Sequence, residues 1–137
     1  MLHERARVED TQAWLRKAAQ DLETARILRG HGLAQLGNSL FHCQQAAEKA
    51  FKAFLAWHDE PFRKTHNLEE LGRQVAALDP TSLDLVERAA LLTDYAWQFR
   101  YPGELESPTP EEADEALATA REVYQAVLAR LPEEVRP

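Results

Sequence analysis

Between its Gly and Pro breaks the chain repeats apolar residues at helical period, and no stretch alternates at period two. In the first stretch Trp14, Ala18, Leu22, Ala25 and Leu28 share a face, Asp10 or Thr11 offers a cap, and Gly30-His31-Gly32 ends it. The second runs from about Leu33 to Trp57, with Leu36, Leu40, Cys43, Ala47, Phe51 and Phe54 on its apolar face, and Asp59-Glu60-Pro61 closes it. A shorter helix is predicted after Thr65 or Asn67 and before Pro80. A fourth is predicted from Thr81 to about Phe99, with Asp84 in the capping-box position. Thr109-Pro110-Glu111-Glu112 marks the fifth start with a cap, a first-turn proline and an acid three residues after the cap. β-branched residues are scarce, so the expectation is an all-α up-and-down bundle of four long helices plus one short helix.

At 137 residues the chain is long enough for one domain, taken as residues 1–137 with its core at about 10–131. No apolar run approaches the ~20 residues needed to cross a bilayer, and the polar start MLHERARVEDT lacks the apolar core of a secretory signal. A cytoplasmic protein that engages no membrane is the expectation. One cysteine, Cys43, excludes an internal disulfide and any thiolate-cluster zinc site. The net charge of −7 is concentrated late: residues 104–137 hold nine acids against three arginines, a balance of −6, which leaves −1 for the first 103 residues. No whole-protein field attracts polyanions, so only a local basic site could contact RNA or nucleotide phosphates.

Two constellations could carry chemistry. In FHCQQAAEKAFKAFLAW, residues His42, Gln45, Lys49 and Lys52 line one helix edge, and Glu48 and Lys52 form an i, i+4 pair. That edge is either a solvated face or a phosphate-facing one, with lysines as point charges and His42 and Gln45 as donors. In DYAWQFRYPGE, Arg100 stands among four aromatics where Pro102 halts the helix. Arg100 either bonds the last helix carbonyls or projects to a cleft to bind phosphate or a carboxylate, with Tyr101 stacking beside it. His66 lies at a predicted helix start, as a cap, a surface residue or an anion ligand. No two histidines share the i, i+4 spacing of a helical metal pair, and no glycine-rich phosphate loop is present, so no metal or other cofactor is expected.

WLRKAAQDLETA, FHCQQAAEKAFKAFL, THNLEEL and FRYPGE, in that order, resemble the HEPN domain (higher eukaryotes and prokaryotes nucleotide-binding) over roughly residues 10–130. The resemblance implies a helical bundle that forms a homodimer and is often encoded beside a minimal nucleotidyltransferase in toxin–antitoxin-like pairs. The chain is also similar to the helical C-terminal domain of kanamycin nucleotidyltransferase, in which a glutamate and a lysine bind and activate substrates; Glu48 and Lys52 would correspond. Ribonuclease members of the HEPN superfamily carry Arg, four to six residues, then His, near the late helices. After Arg100 those positions hold Leu105, Glu106 and Ser107. Arg26 and His31 have the spacing but lie in the first helix, and twelve arginines with five histidines give about one such match by chance.

The function expected from this reading is a nucleotide- or partner-binding module working with a nucleotidyltransferase and inactive alone, with no catalytic residue of its own. The candidate binding residues are His42, Gln45, Glu48, Lys49, Lys52, His66, Arg100 and Tyr101. The alternatives are an RNA-cleaving toxin using His42 or His66 with Arg100, and a non-catalytic structural dimerisation protein.

Overall fold

The computed structural model describes residues 2–96, 98–99, 102 and 107–137. Among the described residues there are five α-helices, α1 (Leu2–Arg29), α2 (Leu36–Trp57), α3 (Leu68–Leu78), α4 (Leu83–Ala90) and α5 (Pro110–Ala129), and no strand. The all-α bundle expected from periodicity is what the chain forms. α2 is the central helix: 14 of its 22 residues are buried, against 5 of 28 in α1. Ala46, Ala47, Ala50 and Ala53 keep its surface low, so α1 and α5 pack along it closely while Leu40, Phe51 and Leu55 fill the space between.

Local chemistry sets several boundaries. The Thr109 hydroxyl accepts from Glu112 N while the Glu112 carboxylate accepts from Thr109 N, which completes the predicted capping box before α5. Asn67 caps α3 by accepting from Glu69 N and Glu70 N. Other boundaries differ from the sequence expectation. α1 begins at Leu2, so Thr11 is not a cap; it is buried inside the helix, and its hydroxyl donates to the Arg7 carbonyl one turn back. α4 stops at Ala90, and a 3₁₀ turn follows over Thr93–Ala96. Asp84 joins no capping box: it pairs with Arg88, while Asp79 accepts from Thr81. Past α5, the short 3₁₀ turn Glu133–Val135 folds back on α1 and buries Val135 completely, so the core extends beyond residue 131.

Arginine pairs bind the outer elements together: Arg29 with Asp114, Arg88 with Glu122, and Arg130 with Asp79. Thr81, and then Arg130, hold the Asp79 carboxyl below its usual range.

α3 and α4 approach unusually closely at Gly72, where an added Cβ would lie 2.4 Å from Val86 Cγ1. Gly72→Ala is therefore expected to destabilise the fold by about 1 kcal/mol or more. Overpacking costs of ~1–3 kcal/mol outweigh the ~1 kcal/mol gain in helix propensity. In a Val86→Ala background the same change should be neutral or stabilising. Denaturant unfolding that shows an equal cost in both backgrounds would refute the close contact.

Candidate functional site: a buried ionic belt on the central helix

The polar residues of α2 form a belt with two carboxylate centres. Glu48 is the first, with its side chain 3% exposed. Its Oε2 accepts from Lys52 Nζ at 2.9 Å, and its Oε1 lies 2.8 Å from His66 Nδ1 and 3.3 Å from Gln44 Nε2. Gln44 also donates to the His66 carbonyl at 2.9 Å, so two residues of α2 hold both the ring and the backbone of His66 just before α3. The Lys52 ammonium, itself buried, lies 5.3 Å from the Trp14 ring and 5.9 Å from the Phe62 ring, which meet edge to face. Trp14 comes from α1 and Phe62 from the segment after α2, so this one ion pair touches three parts of the chain.

Asp21 on α1 is the second centre. Its Oδ1 lies 2.8 Å from His42 Nδ1, and its Oδ2 accepts from Lys49 Nζ at 2.5 Å. Each centre thus has one carboxylate, one imidazole Nδ1 and one ammonium. A carboxylate oxygen cannot face a bare ring nitrogen at 2.8 Å without repulsion, so Nδ1 carries the proton in both histidines. In the neutral rings Nε2 is then the basic nitrogen. Gln45 stands between the two sets along α2, and its Oε1 is buried without a hydrogen-bond partner among the described residues, as is Gln44 Oε1.

The structure therefore brings Glu48, Lys52 and His66 together, and joins His42 with Lys49 through Asp21. Lys49 and Lys52 do not converge on one anion, because each closes on its own carboxylate. Lys52 is neither on a solvated face nor open to a phosphate. Arg100 and Tyr101 lie outside the described residues. Sequence reasoning missed Asp21, Gln44, Trp14 and Phe62. Gln44 had a signal, the i, i+4, i+8 spacing Gln44–Glu48–Lys52; Asp21 had only the oddity of an acid near the apolar face of α1. Cys43 packs in the core beside this belt, and burial pushes its thiol up to about 12, which removes it as a nucleophile. Among the described residues no group of His, Cys, Asp and Glu could hold a metal, and no helix is long and apolar enough to cross a membrane.

A helical bundle whose central helix joins two carboxylate–lysine–histidine sets, each built on a buried carboxylate, is the class these features define. The HEPN domain profile matches residues 11–131, most of the chain, and the protein belongs to that family. Among curated proteins it is 28% identical over 135 residues to "Putative toxin MJ1304" of Methanocaldococcus jannaschii, covering 88% of this chain and 87% of the relative. Two crystal structures have similar folds. TT1696 from Thermus thermophilus superposes with a TM-score of 0.74 at 29% identity, covering 88% of this chain and 98% of the other. ST0689, an archaeal HEPN homologue, has a TM-score of 0.71 at 26% identity, covering 88% and 96%.

Removing the charge of Glu48 alone leaves the Lys52 ammonium buried and uncompensated. Glu48→Gln is expected to cost about 3–5 kcal/mol, but much less in a Lys52→Met background. Equal costs in the two backgrounds, measured by chemical denaturation, would show that the pair is not coupled. Cys43 should resist alkylation at pH 8 in the native protein and react at once in denaturant. Rapid labelling of the folded chain would contradict its burial.

Proposed function

We propose that this chain is the HEPN member of a toxin–antitoxin-like pair: a cytoplasmic homodimer that binds nucleotide and works with a minimal nucleotidyltransferase on a separate chain. The observation that carries the reading is the belt on α2, where Asp21 and Glu48 orient His42 and His66 and the Gln45 carbonyl oxygen waits for a donor. Family membership supports it, as does the toxin name of the archaeal relative. The lysines act as supports for the carboxylates. Recognition falls to the amide and imidazole groups, which suit the donors and acceptors of a base or ribose. The absence of His at the expected spacing after Arg100 favours a chain that is inactive alone.

One observation favours a second reading, an RNA-cleaving toxin. A carboxylate fixing the tautomer of an imidazole is the usual way to prepare a general base, and this chain has two such pairs.

Calorimetric titration with nucleotides, on the protein alone and with any co-encoded nucleotidyltransferase, tests the first reading. His42→Ala or Gln45→Ala should each weaken nucleotide binding about tenfold with little loss of stability, whereas Lys52→Ala should lose stability first. Full affinity in the His42→Ala, Gln45→Ala double variant would remove the site. Generic RNA should not be cleaved above background. Robust metal-independent cleavage that disappears in both His42→Ala and His66→Ala would establish the second reading.

A further inference from the structure

Of the two carboxylate centres, the one at Asp21 joins α1 to α2 through His42 and Lys49. Asp21 is its buried member, with one oxygen on His42 Nδ1 and the other closed by Lys49 Nζ. The His42 side chain is 28% exposed, and its Nε2 makes no hydrogen bond among the described residues and is not buried. Because Nδ1 holds the proton that faces Asp21, this open nitrogen is an acceptor. Phe41 stands edge to face with the His42 ring, their centroids 5.2 Å apart. An aromatic side chain beside an acceptor suits a flat base better than a sugar.

We propose that Asp21 is a specificity-determining residue, which acts through His42 to make this edge select bases that carry an exocyclic amine. The inference rests on the nucleotide reading above and names the ligand class of that site. An amine brings an N–H to the open nitrogen, whereas a base carbonyl brings a lone pair against a lone pair. A base with neither strips water from the acceptor and returns nothing. Asp21 is the positioning residue in this scheme, and His42 is the contact. Lys49 completes the set: an ammonium can only donate, so it holds the far side of residue 21 to an acceptor. That requirement makes a reversal predictable. In Asp21→Asn the amide oxygen goes to Lys49, which turns the amide NH₂ toward His42 Nδ1. The ring then accepts at Nδ1 and carries its proton on Nε2, so the open nitrogen changes from acceptor to donor. Adding Lys49→Met removes the group that fixes the amide, and its oxygen is free to turn back to Nδ1–H.

Calorimetric titration with two probes tests the assignment: adenosine 5′-monophosphate, and purine riboside 5′-monophosphate, which lacks only the amine. The wild type should bind the first about tenfold more tightly, the worth of one neutral hydrogen bond. Asp21→Asn should abolish or invert that ratio, and the Asp21→Asn, Lys49→Met double variant should bring it back part of the way. The ¹⁵N shifts of the His42 ring, which separate the two tautomers, should place the proton on Nδ1 in the wild type and on Nε2 in Asp21→Asn. A merely structural Asp21 would weaken both probes alike and leave the tautomer unmoved, which overturns the inference. A wild type that binds neither probe overturns the nucleotide reading and this specificity together. Equal binding of both probes by the wild type leaves that reading standing and overturns only the specificity. The wild-type titration and ring shifts need no variant, so they decide the question even where Asp21→Asn fails to fold.

Discussion

The Glu48–Lys52 pair is an ion pair with almost no water around it, and the arrangement of three chain segments depends on it. Two charges this deeply buried lose several kcal/mol of hydration each, and their mutual attraction offsets that loss only where every remaining polar site is met. Here Oε2 takes the ammonium, Oε1 takes the His66 ring and the Gln44 amide, and two aromatic rings border the cation. A one-residue slip of α1 along α2 would carry Trp14 away from Lys52 and break the second centre at Asp21 as well. Apolar packing alone tolerates many registers between two alanine-rich helices. The ring contact at Trp14 and the ionic centre at Asp21, two turns apart on α1, together tolerate one. Specificity of register is therefore what the buried charges contribute, with little net stability expected from them.

The same logic separates the belt from the surface. The ion pairs elsewhere are mostly arginine–carboxylate pairs near the surface, which water and salt weaken. Those pairs join α5 to α1, α4 and the start of the α4 turn without fixing them rigidly. The interior of the bundle is held by α2, and the periphery by many weak contacts.

How much of this could be read in the sequence follows from the range of each interaction. Asn67 and Thr109 satisfy amides two and three residues away, so their caps were legible. Thr11 looked like a cap because a hydroxyl near a helical stretch usually is one. It instead turned back on Arg7, whose guanidinium stacks 3.8 Å over Trp57, a partner fifty residues away. The end of α4 was overrun because Leu92 and Tyr95 continue an apolar pattern, and a 3₁₀ turn buries nearly the same positions as an α-turn. At the site, Glu48 and Lys52 were legible as an i, i+4 pair, and the choice weighed for their edge lay between a solvated face and a phosphate face. The third outcome, a buried pair, required knowing that Trp14 and Phe62 border it. Asp21 and His66 reach the belt through tertiary contacts alone, so no spacing rule could assign them.

The pairing within the belt constrains what it can bind. Each carboxylate has an ammonium partner, and every carboxylate oxygen is already occupied. A phosphate approaching Lys52 would have to displace Glu48 from a site too buried to rehydrate it, at a cost greater than one charge-assisted hydrogen bond returns. Among the described residues the amide oxygens of Gln44 and Gln45 have no hydrogen-bond partner, although both atoms are buried. On the proposed reading, a ligand would meet the Gln45 amide and the Nε2 side of His42, which suit neutral N–H or O–H donors such as a base amine or a ribose hydroxyl. The proposed nucleotide would therefore be met through its nucleoside part, because the lysines, despite their spacing, are spent on holding the carboxylates in place.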